Sequence, residues 1–145
     1  MDDVAEIMEE VFQHRMGGAE TSTGQAAAIS HWINAIPAPA PMRASNDAAV
    51  LRGKELFESA QVGCADCHSG AHLTNNQNAS VGRAETLQVP TLIGVAWRAP
   101  FMHDGCAATL RDRFDNPACG GDKHGNLAGL SESDIDDLVA YLESL

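Results

Sequence analysis

Residues Cys64-Ala65-Asp66-Cys67-His68 read Cys-x-x-Cys-His, the attachment signature of a c-type haem. Two thiols at this spacing form thioethers with the porphyrin vinyl groups, and the histidine that follows is placed to ligate the iron from the proximal side. One covalent haem c, bound through Cys64 and Cys67, then joins the hydrophobic core. The open question becomes what occupies the sixth iron position. Two other readings start from the same cysteines. Half a zinc site would recruit two more ligands from Cys106, Cys119 and the histidines. A thioredoxin-like redox pair would need an alternating strand and helix context, and none is visible. His68 favours haem over both.

Only 5% of the 145 residues are aromatic, which is sparse for a self-sufficient core; a buried macrocycle would make up that deficit. The length suits one ordinary domain, or a domain of about 100 residues with an extension. The formal net charge is −11, unevenly spread. Five acids lie in the first ten residues (Asp2, Asp3, Glu6, Glu9, Glu10) and five in the last fourteen (Glu132, Asp134, Asp136, Asp137, Glu143). Residues 43–123 hold eight Lys/Arg against nine Asp/Glu, so the surroundings of the haem motif are nearly neutral. The acidic ends read as solvated helix faces rather than a docking surface. The charge disfavours nucleic acid, whose phosphates it would repel, and no stretch is long and apolar enough for membrane insertion. The start, MDDVAEIMEE, lacks the basic residues and apolar run of a signal peptide. Because c-type haem is attached on the exported side of the membrane, the expectation is a bacterial periplasmic or otherwise exported protein, with this chain a piece of a longer one.

Val4, Ile7, Met8, Val11 and Phe12 follow helical spacing with acids opposite, and Gly17-Gly18 ends that helix. A second helix is expected over residues 25–36, carrying Ile29, Trp32, Ile33 and Ile36. The run Pro37-Ala38-Pro39-Ala40-Pro41 breaks helix and favours a stiff linker. A boundary placed there makes 1–41 a helical extension with its linker, or the tail of a preceding domain, and 42–145 the haem domain. A third helix should start near Ser45-Asn46-Asp47 and run to about Ser59. The last starts at Ser131, with Asp134 three residues on as in a capping box and Ile135, Leu138, Val139, Leu142 and Leu145 as its apolar stripe. Between these two, Gly, Asn and Pro allow only short helical stretches, and residues 69–83 read as loop.

This layout resembles the class I cytochrome c fold: all-α, wrapped around one haem, here with an N-terminal helical extension. That family crosses its first and last helices at a glycine with an aromatic one turn later. Gly53 and Phe57 match, against Leu138, Tyr141 and Leu142, and glycine is what lets two backbones approach closely. The run VPTLIGVAWRAPFMHDG (Val89 to Gly105) is more specific. It resembles the second haem domain of bacterial di-haem cytochrome c peroxidases, where a Pro-x-Leu segment leads into an Ala-Pro-Tyr-Met-His-Asp-Gly-like stretch, here Ala99 to Gly105. The resemblance covers roughly residues 45–145. It implies that Met102 is the sixth ligand and that the carbonyl of Pro90 accepts the other ring N–H of His68. The chain departs from the family in having one Cys-x-x-Cys-His, Phe101 where tyrosine is common, and a cysteine at 106.

Coordination chemistry also favours Met102: a thioether suits haem iron, and Met/His ligation raises the reduction potential. His72, four residues after His68, would lie on the same side of the haem if a helix continued, and His103 would need its loop to shift. His14, His31 and His124 read as surface or capping residues. Arg98 and Arg83 are candidates for the haem propionates, a guanidinium matching a carboxylate, or are solvated surface arginines. Cys106 and Cys119 are expected to pair in an exported protein; free thiols or pairing with another subunit are the alternatives. The expected function is electron transfer through a His68/Met102 haem to a redox partner protein or an adjacent haem domain, inside a larger peroxidase-like protein. The alternatives are a haem peroxidase with an open or labile distal position, and a haem-based sensor.

Overall fold

A computed structural model describes residues 4–82 and 86–145, which divide into two compact units, Met1–Pro39 and Ala40–Leu145. In the first, helix α1 (Val4–Ile7) continues as a π-helical stretch, Met8–Arg15. The stripe expected for one α-helix is therefore helical throughout, but its C-terminal part bonds in i→i+5 register, as in Met16 N–H to the Val11 carbonyl at 3.0 Å. Gly18 ends it under the Phe12 ring, where a Cβ would sit 2.5 Å from the nearest ring carbon. Helix α2 (Thr23–Ala35) packs against α1 and opens on a capping box between Ser22 and Gln25. Ala26 is its one buried residue.

The second unit is built on two helices, α3 (Ala48–Glu58) and α5 (Glu132–Glu143). Asp47 caps α3, its carboxylate accepting from Ala49 N–H at 2.9 Å. Ser131 and Asp134 close the expected capping box on α5. The two helices cross at Gly53, where backbone meets backbone: a Cβ there would lie 1.9 Å from the Asp137 carbonyl oxygen and 2.9 Å from the Tyr141 Cβ. The Arg52 guanidinium straps the same crossing, bidentate on the Asp137 carboxylate at 2.6 and 2.7 Å. Val50, Phe57, Leu110, Ile135, Leu138, Tyr141 and Leu142 form the buried cluster around it. The start of the unit is tied to α5 by Met42 and Arg43 N–H groups on the Glu143 carbonyl, and Trp97 Nε1 donates to the Ala40 carbonyl.

Between α3 and α5 lie a 3-10 turn at Cys64–Asp66, another at Val95–Trp97, helix α4 (Leu110–Asp115) and turns at Pro117–Cys119 and Gly121–Lys123. One element departs from the expected loop. Strand β1 (Asn78–Ser80) pairs antiparallel with β2 (Thr86–Gln88), Ala79 opposite Leu87. Three residues are too short for an alternation to show in sequence, so the hairpin rests on tertiary context. The domain is predominantly helical with this small hairpin rather than purely α. No helix of the described residues is long and apolar enough to cross a membrane.

The Gly53→Ala variant should lose stability by more than the ~1–3 kcal/mol of ordinary overpacking, because the new Cβ meets backbone that cannot swing away. Thermal melting followed by circular dichroism checks this. A midpoint unchanged within ~2 °C, where 1 kcal/mol corresponds to roughly 4–8 °C, would rule out the close crossing.

Candidate haem site

Gly63, at φ 75°, turns the chain out of α3 and starts the Cys64–Asp66 turn. The Cys64 carbonyl then accepts from both Cys67 and His68 N–H groups, at 3.3 and 2.9 Å. This compact turn brings Cys64, Cys67 and His68 onto the wall of one cavity. Both thiols are free and half-buried; burial pushes the Cys64 thiol up, the charge of Arg113 opposing it.

His68 is buried, with 9% of its surface exposed. Its Nδ1 lies 3.2 Å from the Leu73 carbonyl, and donation there leaves Nε2 with its lone pair. Burial lowers the imidazole pKa, and the carbonyls of Leu73 and Pro90 act in the opposite sense. Both acceptors thus serve the ring: the expected Pro90 and, at 3.2 Å, Leu73, whose own backbone is left-handed (φ 49°). The Phe57 ring sits 6.5 Å from that of His68 and 5.1 Å from that of Tyr141, so the helix crossing supports the imidazole directly.

The same cavity is lined by Met102. Phe101 and Ala107 close its loop as an antiparallel pair, with Phe101 N–H on the Ala107 carbonyl at 2.7 Å. Met102 itself holds φ 68°, a left-handed conformation that costs a side-chain-bearing residue about 1–3 kcal/mol. It is half-buried and lines the cavity. Cys106 and Cys119 form a disulfide across the base of this loop, and Cys119 is fully buried. The two cysteines are therefore committed to each other, and no cluster of three or more His, Cys, Asp or Glu among the described residues is placed to hold a metal ion. Both observations count against the zinc reading.

Of the histidines set aside in sequence, His72 is exposed, with its carbonyl taken by Thr91 Oγ1. His103 reaches the cavity edge but is mostly solvent-exposed. His124, read as a surface or capping residue, is instead in the cavity wall, its ring 6.2 Å from that of His68. Burial, then the charge of Arg113, then His68, push its pKa down to about 3, so it is neutral at pH 7. Arg113 is the second residue missed: it lines the cavity with 7% of its surface exposed. Its Nε–H donates to His124 Nδ1 at 3.1 Å, and its Nη2 donates to the His124 carbonyl. A signal was present, since Leu110, Arg113 and Phe114 share one face of a short helix. A lone cation there reads as solvent-facing until the fold turns it inward. Arg98 is exposed at the cavity rim and donates to the Thr91 carbonyl at 2.5 Å. Arg83 lies outside the described residues.

The cavity encloses about 550 Å³, within the ~300–1,000 Å³ of small-molecule and cofactor sites. Phe57, Val89, Leu92, Leu138 and Leu142 give it apolar walls. Two thiols, an imidazole, a thioether and a buried guanidinium complete it, a donor set that fits a flat apolar macrocycle bearing a metal and carboxylates.

A family model described as Cytochrome c matches residues 50–145. The chain is 25% identical over 141 residues to hydrazine synthase subunit gamma of Kuenenia stuttgartiensis, covering 65% of this chain and 40% of that protein. It is 29% identical over 119 residues to the methylamine utilization protein MauG of Methylorubrum extorquens, covering 65% and 33%. It therefore spans less than half the length of either relative. Among solved structures, K. stuttgartiensis hydrazine synthase under xenon superposes with a TM-score of 0.69 at 23% identity, covering 95% of this chain and 60% of that one. A MauG-like protein associated with microbial copper homeostasis superposes at 0.59 and 19% identity, covering 92% and 60%. At these identities the superpositions speak to fold.

Opening the 13-residue loop by Cys106→Ser should cost about 3 kcal/mol, the entropy expected for a loop of this size. Comparing denaturant midpoints of the variant and the native chain measures it. Equal midpoints would mean the loop is held without the disulfide.

Proposed function

The chain belongs to the cytochrome c family, with homologues in the MauG and hydrazine synthase, di-haem cytochrome c peroxidase-like group, and from that premise we propose that it transfers electrons through one c-type haem ligated by His68 and Met102. The observation that carries this reading is the left-handed backbone of Met102 in a closed loop facing the cavity that His68 lines. Strain at a residue without glycine's freedom persists where the surroundings enforce it, commonly at functional sites.

A haem held here supplies a one-electron couple. The chain's residues set its terms. Cys64 and Cys67 tether it from one short turn. His68 offers Nε2 to the iron because Leu73 occupies Nδ1. The Met102 thioether favours the reduced state and raises the potential. Phe57, Leu138 and Leu142 give the cavity apolar lining, which favours little reorganisation on electron transfer. Were His68 and Met102 both to hold the iron, peroxide would find no place on it, so this reading makes the chain a conduit rather than a peroxidase.

In this reading residues 42–145 are the haem domain and 1–41 an extension and linker. Its partner is a redox protein or an adjacent haem domain. One relative's name marks it as a subunit of a synthase, and both relatives are more than twice as long as the matched region. That supports a module of a larger redox protein. An exported location follows from where haem c is attached.

Covalent attachment predicts that the double variant Cys64→Ala, Cys67→Ala loses all haem stain on a denaturing gel. Retention of stain would remove these two residues as the tether. For the ligand, the oxidised native chain should show a low-spin spectrum with the methionine–iron(III) charge-transfer band, and Met102→Ala should lose it. A high-spin native spectrum, or a band indifferent to the substitution, would overturn the proposal and favour an open, peroxide-accessible iron.

A further inference from the structure

We propose that Arg113, oriented by His124, is the carboxylate anchor of the cavity and binds one haem propionate. The inference rests on haem occupying this cavity but not on Met102 as its ligand.

Arg113 projects from α4 beside Leu110 into the interior, more than nine-tenths buried. Two of its three nitrogens are satisfied by one residue, Nε by His124 Nδ1 and Nη2 by the His124 carbonyl. Nη1 is buried and has no hydrogen-bond partner. No ion pair neutralises the side chain among the described residues. The neighbouring Arg111 takes the helix-surface acids instead, pairing with Asp115, Glu132 and Asp136. An arginine keeps its proton even when buried, so this is a charged guanidinium in a low-dielectric wall with donors unfilled. Such an arrangement is strongly unfavourable unless an anion completes it.

Arg113 lines the cavity, so an anionic group of what fills the cavity can complete it. Cys64, Cys67 and His68 line the same space, and the anionic substituents of a c-type haem are its two propionates. A planar guanidinium matches a carboxylate in geometry and charge. The turn carrying His124 tucks against the hairpin, where a Cβ on Gly82 would lie 2.9 Å from the Lys123 Cβ and 3.0 Å from the Gly120 carbonyl oxygen. Ala79, Ser80 and Val81 close the cavity on that side.

His124 is the positioning residue. Accepting from Arg113 at Nδ1 puts its own proton on Nε2, which makes it a donor and a poor iron ligand. Its backbone carbonyl holds the other arm of the fork. Arg98 fits the anchor role less well, because it is exposed and already engaged by Thr91.

Infrared spectroscopy of the holoprotein carrying haem with 13C-labelled propionate carboxyls tests this. One of the two labelled carboxylate bands should shift in Arg113→Gln and stay in place in Arg98→Gln. Labelled bands that ignore Arg113→Gln would overturn the proposal and leave Arg113 to a solvent anion. If Arg113→Gln yields no holoprotein, the native chain labelled with 15N-arginine decides. Nuclear Overhauser contacts from the Arg113 guanidinium to a propionate methylene support the anchor, and their absence among assigned signals overturns it. A pyridine haemochrome assay on the same samples separates the two failures. Haem present without an Arg113-dependent band sinks the anchor alone, whereas a native chain without haem sinks the haem reading as well.

Discussion

The contact on which the rest depends is the backbone crossing of α3 over α5 at Gly53. There is no room for a side chain between Gly53 and the Asp137 carbonyl, so the two helices meet at the closest distance polypeptides allow. That proximity aligns Phe57 against Tyr141 and, through Phe57, against His68. His68 is thus held both by its own turn, where the Leu73 carbonyl takes Nδ1, and by the helix crossing behind Phe57. Asp137 serves the crossing twice, with its carbonyl under Gly53 and its carboxylate in the grip of Arg52.

The Met102 side is organised differently. Helices back His68, whereas a closed loop carries Met102. The Phe101–Ala107 pair, the Cys106–Cys119 disulfide and the capping box of Thr109 with Asp112 follow one another within a short span. Together they hold Met102 in a conformation it would not adopt alone. Covalent and hydrogen-bonded closure substitutes here for the apolar burial that a loop of small and polar residues cannot provide.

Electrostatically the chain separates its charges. The acids crowd the two ends, and α5 turns most of its own toward solvent or arginine. Among the described residues the cavity wall holds one deeply buried cation, Arg113, beside a histidine held neutral by the same burial. A buried charge and a neutral imidazole in contact are mutually consistent: the guanidinium lowers the histidine's proton affinity, and the deprotonated Nδ1 accepts the guanidinium's hydrogen bond.

What could be read from the sequence was whatever depends on local spacing. Cys64, Cys67 and His68 lie within one turn. Asp47 and Ser131 cap helices through residues two or three positions away, and the stripe of α5 has a period of its own. Gly53 and Phe57 were legible as a pair through resemblance, and Met102 through the motif around it. What depends on distant partners was not legible. The hairpin at residues 78–88 forms from strands too short to show an alternation. The register change after Ile7 shows only in the backbone hydrogen bonds, which the spacing of side chains does not reveal. The Leu73 carbonyl, a second acceptor for the His68 ring beside Pro90, depends on the path of the loop after the motif. His124 read as a surface or capping residue, and Arg113 drew no notice, because charge and a glycine-rich setting are local properties, whereas burial is not. Only the folded chain brings α4 and the turn at Gly121–Lys123 against the Cys64–His68 turn, and with them a guanidinium and an imidazole into the same wall.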